Sequence, residues 1–235
     1  MRAWFSKHLP NSSLQGWVIR GYLRSPIRFS AALLRSLAVT YRMTGKAFPV
    51  SVRVQPGQLF SVSVGQGAQC RIEGIITVSN WGGSRLPSSL SLGNNSRLYV
   101  NGDFEIGPNV HISANADAEL VLGGRKHSSG SGITCNSRIM AAKHIHIGSD
   151  TIIAWDIFIS DSDWHQIEGA KMDGDVRIGD HVWIAHGASV LKGSVIPDGS
   201  VVAAKSLVHS VFQGSNLLLA GTPARVIRED VKWMR

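Results

Sequence analysis

Apolar residues recur with a period of six between residues 147 and 208. Ile or Val occupies every sixth position in two runs: Ile147, Ile153 and Ile159, then Ile178, Ile184, Val190, Ile196, Val202 and Val208. Ile106 and Ile112 show the same step earlier in the chain. An amphipathic helix repeats every three to four residues and a half-buried strand every two, so neither element explains this period.

The residues that follow these apolar anchors suit tight turns. Gly, Ala, Ser or Pro follows most of them, as at Gly148, Gly179 and Pro197, whereas Leu191 departs from this pattern. A chain that turns every six residues closes one coil of a triangular prism in three sides, with the anchors stacked inside. The pattern therefore predicts an all-β fold, a parallel β-helix built from hexapeptide repeats.

The repeat divides the chain into three regions. Residues 1–50 mix basic and apolar side chains at helical spacing, so we predict a basic, partly helical N-terminal segment. Residues 51–210 form the predicted β-helix, and residues 161–176 interrupt its period as a loop, where function is often found. Residues 211–235 form a tail that is predicted to end in a short helix.

The N-terminal segment admits two interpretations. Arginines alternate with aliphatic residues along it, and Pro26 either interrupts a helix or begins one. Such a segment could lie on an anionic membrane surface. Amphipathic helices more commonly pack on a neighbouring domain or subunit, which is the second interpretation.

Composition narrows the possible partners and the compartment. The formal net charge is +8, which favours anionic partners, but no nucleic-acid-binding motif accompanies it. Aromatic residues are only 7% of the chain and glycines number 25, which fits many short strands and tight turns. Cys70 and Cys135 form no CxxC pair, so we expect free thiols in a reducing compartment. There is no long apolar run or signal-peptide core, so a cytoplasmic location is predicted.

Three short motifs carry a resemblance to a known family. They are Asp163-Trp164-His165 in the loop, Val182-Trp183-Ile184-Ala185 in the long run of repeats, and Gly221-Thr222-Pro223-Ala224-Arg225 near the end. In this order and spacing, residues 147–228 resemble the hexapeptide-repeat acetyltransferases of the left-handed β-helix superfamily. The likeness is greatest to maltose, galactoside, capsule and lipopolysaccharide O-acetyltransferases.

This resemblance implies an acetyl-CoA-dependent O-acetyltransferase that acts on a sugar or a bacterial surface polysaccharide. It also implies a homotrimer with active sites between subunits. Because a thioester is already activated, the transfer needs no metal, but it needs a base for the attacking hydroxyl. The resemblance gives that role to His165, and an imidazole titrates near neutral pH. The acceptor hydroxyl would attack the thioester directly.

Other site residues also follow from the resemblance. Asp163 either orients His165 or is an ordinary turn residue. Trp183 lines the acceptor site near the thioester, unless it only covers a prism face. Asn136 matches a substrate-contacting Asn, with a turn residue as the alternative, and we place Trp164 with it at the substrate.

Coenzyme A contacts are expected along the C-terminal coils. The positions that match cofactor contacts in sugar acetyltransferases, or lie beside them, are Ala185, His186, Ala204, Lys205, Arg225 and Arg228. The relatives carry Thr-Lys where this chain has His209-Ser210, so Lys205 is expected to replace the missing lysine. The arginines suit phosphate groups, unless they cap the solenoid end.

Rival functions share the same fold. A γ-class carbonic anhydrase needs three histidine ligands. If His186 were one of them, a second histidine would be expected five residues later, where this chain has Leu191. His181 and His186 are five residues apart but out of register for that site. A non-catalytic scaffold and an acetyltransferase with an amine or other small-molecule acceptor are further alternatives.

Overall fold

The computed structural model describes residues 14–126 and 130–234. Two helices come first, α1 (Leu14–Arg24) and α2 (Pro26–Thr44). Pro26 begins α2, where a missing backbone N–H costs nothing, and Gly45 ends it with a φ of 73°. No helix in the described part of the chain is long and apolar enough to cross a membrane.

Three sheets of short strands follow, and consecutive strands from β1 to β20 belong to successive sheets. Sheet A contains β1 (Val52–Val54), β4 (Ile76–Val78), β7 (Phe104–Ile106), β10 (Gly132–Cys135), β13 (Ile152–Trp155), β16 (Trp183–Ile184), β19 (Val201–Val202), β21 (Leu218–Gly221) and β22 (Ala224–Arg228). Sheet B contains β2 (Phe60–Val64), β5 (Ser88–Leu92), β8 (Val110–Ala114), β11 (Ser137–Ala141), β14 (Phe158–Ser160), β17 (Ser189–Val190) and β20 (Leu207–Val208). Sheet C contains β3 (Gln69–Ile72), β6 (Arg97–Asn101), β9 (Glu119–Gly123), β12 (His144–Ile147), β15 (Val176–Ile178) and β18 (Val195–Ile196). A short 3₁₀ turn, Trp81–Gly83, lies between β4 and β5.

The predicted apolar column forms the core of the prism. All nine anchors of the two hexapeptide runs are completely buried, and Ile106 and Ile112 are each only 1% exposed. Burying one such side chain contributes about 1.5–3 kcal/mol, so the stacked anchors dominate the stability of the fold. The predicted fold class, a left-handed parallel β-helix, is confirmed.

Coil length explains why the repeat is clear only in the second half of the chain. Ile184 pairs with Val202, eighteen residues on, which is three sides of six. Earlier coils are longer, since Ile76 pairs with Phe104. The earlier strands also reach five residues, as in β2 and β5. The longer strands and turns of the first half remove the six-residue period from the sequence, but the three-sided prism is the same.

Helix α2 covers the first coil and contacts β1, β2 and β3. Its buried face includes Phe29, Val39 and Met43. Two hydroxyls on this face accept hydrogen bonds from the outermost strand. Val54 N–H donates to Ser36 Oγ at 2.9 Å, and Val52 N–H donates to Thr40 Oγ1 at 3.1 Å. The helix therefore supplies acceptors that a further coil would otherwise provide.

The predicted short C-terminal helix is wrong. Strand β22 pairs antiparallel with β21, and residues 229–234 are not helical. The Trp233 ring stacks on His181 with centroids 4.1 Å apart, and its Nε1–H donates to the His181 carbonyl at 3.1 Å. A seven-residue helix is marginal on its own, so these contacts with the prism prevail over local preference.

Candidate active site

One edge of the prism collects five of the predicted site residues. Where the chain turns from sheet A to sheet B, Asn136 follows β10, Ala185 and His186 follow β16, and Ala204 and Lys205 follow β19. Backbone hydrogen bonds stack these turns, since Lys205 N–H donates to the His186 carbonyl at 2.9 Å. We call this corner the A–B edge. Asn136 and Lys205 have φ values of 49° and 61°, a turn conformation that asparagine tolerates well.

Two tryptophans that the sequence analysis missed lie at the same edge. Trp81 and Trp155 stack with centroids 6.3 Å apart, and Trp155 stacks on His186 at 5.4 Å. His186 Nδ1 also lies 3.4 Å from a carboxylate oxygen of Asp156. The tryptophan side chains are about half exposed, at 53% and 42%. They form an aromatic surface beside hydrogen-bonding side chains, a combination suited to sugar rings.

A groove on sheet A continues from this aromatic surface. The recess beside Trp81 is lined in part by Glu105 and Ser131, and both also line a larger groove of about 280 Å³. Arg53 and Arg125 lie along that larger groove. The face of sheet A therefore offers polar and charged groups beyond the length of a single sugar.

The loop predicted at residues 161–176 occupies residues 161–175 and leaves the prism at a different corner, between sheets B and C. Asp161 anchors its start. This carboxylate is fully buried and accepts three backbone N–H groups, from Ala142, Lys143 and His144, at 2.6–2.8 Å. Asp173 closes the loop through a backbone β-bridge to Ser162 and an ion pair with Lys143 at 3.0 Å. A side-chain hydrogen bond with Ser162 and the pairing with Lys143 lower the pKa of Asp173.

His165 lies exposed on this anchored loop. Asp163 lies 2.5 Å from Lys192 Nζ, so its carboxylate is paired with a lysine of the next coil. Lys192 also donates to the Lys171 carbonyl. Trp164 is fixed from within the loop, because its indole N–H donates to Ser160 Oγ at 3.0 Å. The histidine therefore extends from a folded loop in which Asp163 is engaged elsewhere.

A single subunit does not bring the predicted site together. His165 emerges from the corner between sheets B and C, whereas Asn136, Trp155 and His186 lie at the A–B edge. No hydrogen bond, ion pair or ring contact joins the two groups among the residues described. The two groups can meet where the loop of one prism faces the A–B edge of another.

Comparisons with known proteins bear on the function. No family model matches the chain. A polysialic acid O-acetyltransferase from Neisseria meningitidis is 30% identical over 149 residues, which cover 61% of this chain and 67% of the relative. The chain belongs to the hexapeptide-repeat O-acetyltransferases. The predicted family is therefore confirmed.

Two further matches extend this result. An uncharacterised 24.8 kDa protein from the cps region of Klebsiella pneumoniae is 30% identical over 145 residues, 60% of this chain. The match spans 65% of that relative, just under two thirds of its length. The crystal structure of a polysialic acid O-acetyltransferase aligns with a TM-score of 0.56 and 26% identity, covering 78% of this chain and 90% of the neighbour.

Trp183, predicted to line the acceptor site or pack near the thioester, and the predicted cofactor residues Arg225 and Arg228 of this O-acetyltransferase family member lie toward the C-terminal end of the prism. Trp183 is on the outer face of sheet A, 39% exposed, with its ring 6.1 Å from Trp233. Arg225 and Arg228 are exposed on β22. Ala185 is at the A–B edge, but its N–H already donates to the Val202 carbonyl. Its backbone donor is thus engaged, which leaves its small side chain to line a site.

The histidines considered for a metal site are far apart in the fold. His181 stacks on Trp233 at the corner between sheets C and A, whereas His186 stacks on Trp155 at the A–B edge. Within residues 14–126 and 130–234, no group of three or more His, Cys, Asp or Glu side chains could hold a metal ion. Cys70 and Cys135 are free thiols, and burial raises the pKa of both, that of Cys70 to about 11.

Proposed function

We propose that this family member transfers an acetyl group from acetyl-CoA to a hydroxyl of a bacterial surface polysaccharide. The observation that carries the proposal is the exposed His165 on a loop anchored by Asp161, together with the aromatic and hydrogen-bonding groups of the A–B edge, which suit sugar rings. The relatives support the acceptor class, since one is named for polysialic acid and another is encoded in a cps region.

The reaction follows from the proposed roles. His165 accepts the proton of the acceptor hydroxyl, whose oxygen attacks the carbonyl carbon of the thioester. The carbon–sulfur bond breaks, an ester forms, and the coenzyme A thiolate takes the proton from the imidazolium. Because the attack is direct, no acyl-enzyme forms and no metal is required. The surrounding N–H donors must stabilise the tetrahedral oxyanion.

The cofactor would lie along the A–B edge toward the C-terminal coils. Ala204 leaves room for the pantetheine arm, and His186 borders the position of the thioester. Lys205 and Arg225 are exposed cations that suit the phosphates, with Arg228 further along β22. Trp183 would lie against the cofactor or the acceptor beside it.

The acceptor would occupy the N-terminal side of the same edge. Asn109 Nδ2–H donates to Asn136 Oδ1 at 3.1 Å, so the Asn136 amide is held in place and its NH2 group can donate to a sugar hydroxyl. Trp155 and Trp81 offer stacking surfaces for one or two sugar rings. The groove on sheet A supports a polymer rather than a monosaccharide acceptor.

We propose a homotrimer with three interfacial sites. The separation of His165 from the A–B edge within one chain supports this arrangement, because a neighbouring prism would complete each site. Asp163 would stay paired with Lys192 and would support the loop instead of the imidazole. Trp164 would frame the acceptor from the loop side.

The proposed location is the cytoplasm, with peripheral contact at the inner face of the membrane or at a glycan-assembly complex. The concentration of positive charge before residue 73 supports this location, because those surfaces are anionic.

Thermal unfolding with acetyl-CoA and EDTA tests the cofactor first. A ligand at a hundred times its dissociation constant stabilises the native state by about 2.7 kcal/mol, which gives a measurable rise in Tm. Acetyl transfer to oligosialic acid and to other capsule-derived oligosaccharides then tests the acceptor. Absence of any rise with acetyl-CoA or CoA, together with destabilisation by EDTA, would contradict the proposal and favour a metal site.

A further inference from the structure

Helix α2 has a second apolar face that the prism does not cover. Ile27, Ala31, Leu34, Ala38 and Tyr41 follow one another at intervals of four and three residues, and all five are exposed. The three largest are 86%, 67% and 62% exposed. Single exposed apolar residues are ordinary, but a continuous row on one helix face marks an interaction surface. We call this row the α2 stripe.

An arginine-lined groove borders the α2 stripe. Arg28 and Arg35 of α2 and Arg85 of the loop before β5 line a space of about 460 Å³, and Ala31 belongs to both groove and stripe. Among the described residues, no Asp or Glu lines it. Arg35 is fixed by donating to the Gln58 carbonyl at 2.6 Å. A groove lined by three arginines and no carboxylate suits a phosphate.

Charge is distributed very unevenly along the chain. Residues 1–72 contain ten Lys or Arg and no Asp or Glu. The remaining 163 residues contain fourteen basic and sixteen acidic side chains, a net charge of −2. The net positive charge of the protein therefore comes from the region that carries the stripe and two of the three groove arginines.

We propose that the α2 stripe and the arginine groove form a docking surface for an anionic phospholipid bilayer. The stripe would enter the boundary between head groups and acyl chains, and the groove would take a lipid phosphate. Tyr41 is of a residue type favoured at that boundary. This proposal makes the location given in the proposed function more specific. It rests on the helix and its charges and not on the acetyl-transfer activity.

A second copy of the chain is a poorer occupant for this surface. Paired helices with this spacing normally place acidic and basic residues opposite each other beside the apolar seam. Here both copies would present only arginines, such as Arg24, Arg28 and Arg42, so like charges would face each other. An anionic bilayer supplies the missing negative charge, and each basic side chain near it strengthens binding about fivefold.

The position of α2 would let every subunit of an oligomer present this surface to the same membrane. The helix covers the N-terminal end of the prism, where it contacts the first coil. In a cyclic trimer, the same end of every subunit lies on the same side. Three stripes and three grooves would then meet one membrane together, which multiplies a weak individual affinity.

Flotation of the full chain with vesicles tests the proposal. The probes are vesicles of phosphatidylcholine alone and of equimolar phosphatidylcholine and phosphatidylglycerol. We expect binding to the second kind only, weakened by salt. Leu34→Asp should lower the partition coefficient at least about tenfold. The double variant Arg28→Ala, Arg85→Ala should lower it about twentyfold.

Two control variants test whether a loss of vesicle binding is specific to the docking surface. Val211→Asp places the same charge on an apolar residue that is 60% exposed and outside α2, and Arg71→Ala removes an exposed arginine paired with Glu73. Both should bind vesicles as the wild type does. All variants should keep the rise in Tm with acetyl-CoA, so failure of this proposal is distinguishable from failure of the proposed activity.

Four results would overturn the proposal. The first is equal binding to both kinds of vesicle, or binding to neither. The second is vesicle binding by Leu34→Asp that is as strong as that of the wild type. The third is a fall in the molar mass of Leu34→Asp by light scattering, which would assign the stripe to a subunit contact. The fourth is vesicle binding that sodium chloride does not weaken, which would show that the basic side chains do not drive it.

Discussion

At the residue scale, the state of the loop carboxylate constrains how His165 can work. Asp163 is paired with Lys192 at 2.5 Å, so it contributes to loop structure. In the proposed trimer, an imidazole without a carboxylate partner on its own loop would be oriented by the groups it meets on the neighbouring subunit. The base would then be assembled only when the acceptor edge of a neighbour is in place.

His165→Ala should reduce kcat about 10²- to 10⁴-fold, because general-base catalysis typically contributes that much. The KM for acetyl-CoA should change little, since the histidine acts on the acceptor. Glu168→Ala, another exposed position of the loop, is the matched control and should retain activity. Steady-state kinetics checks both, and near-normal turnover by a folded His165→Ala protein would remove the histidine from its proposed role.

Trp155 should distinguish the acceptor side of the site from the cofactor side. Trp155→Ala removes the central ring of the stack with Trp81 and His186, so the KM for the acceptor should rise about tenfold. Trp155→Phe keeps an aromatic face and should recover most of the loss. If the KM for acetyl-CoA rises instead, the stack contacts the cofactor and the proposed acceptor position is wrong.

At the element scale, the loop depends on the carboxylate at its start. Asp161→Asn replaces one acceptor oxygen with an amide nitrogen that faces backbone donors from residues 142–144. We expect the free energy of unfolding to fall by about 2–4 kcal/mol. Denaturant titration measures it, with Asp117→Asn in an exposed turn as the control. A loss no greater than in the control would mean that the anchor is dispensable.

The other end of the loop should respond to acid. Hydrogen bonding by Ser162 and pairing with Lys143 lower the pKa of Asp173 below its ordinary value of about 4. This contribution to stability is therefore complete above that value and is lost as the pH falls through the lower native pKa. Hydrogen exchange of loop amides, corrected for intrinsic rates, should show weaker protection below about pH 4.

The variant Asp173→Asn provides the comparison for that measurement. Its loop should already be less protected at neutral pH, and its protection should lose the dependence on pH in this range. If wild type and variant respond to acid alike, another group closes the loop.

The hexapeptide anchors show how far the sequence predicts this fold. A buried column needs only local spacing, so Ile147 and its successors were identified from the chain alone, and all are buried. The stack of Trp81 and Trp155 was not identified, because 74 residues separate the two tryptophans and only the register of the sheets brings their two turns together. The C-terminal helix was predicted wrongly since local preference could not include the contact of Trp233 with His181.

At the scale of the whole molecule, mixed trimers test the interfacial site. His165→Ala removes the base, and Ala204→Trp blocks the cofactor position at the A–B edge. In trimers that combine the two variants at random, about a quarter of the sites should take an intact loop from one chain and an intact edge from another. Activity of co-expressed variants, compared with each alone, measures this recovery. No recovery would place both groups of the site in one subunit.

The two ends of the prism are closed by different means. A stack of parallel coils ends in rows of unpaired backbone groups, which can recruit the corresponding end of another molecule. Ser36 and Thr40 of α2 occupy donors at the first coil, and the reversed strand β22 borders the last parallel strand of sheet A. A chain shortened at either end should therefore grow into filaments by end-to-end addition, so these terminal elements limit the length of the particle.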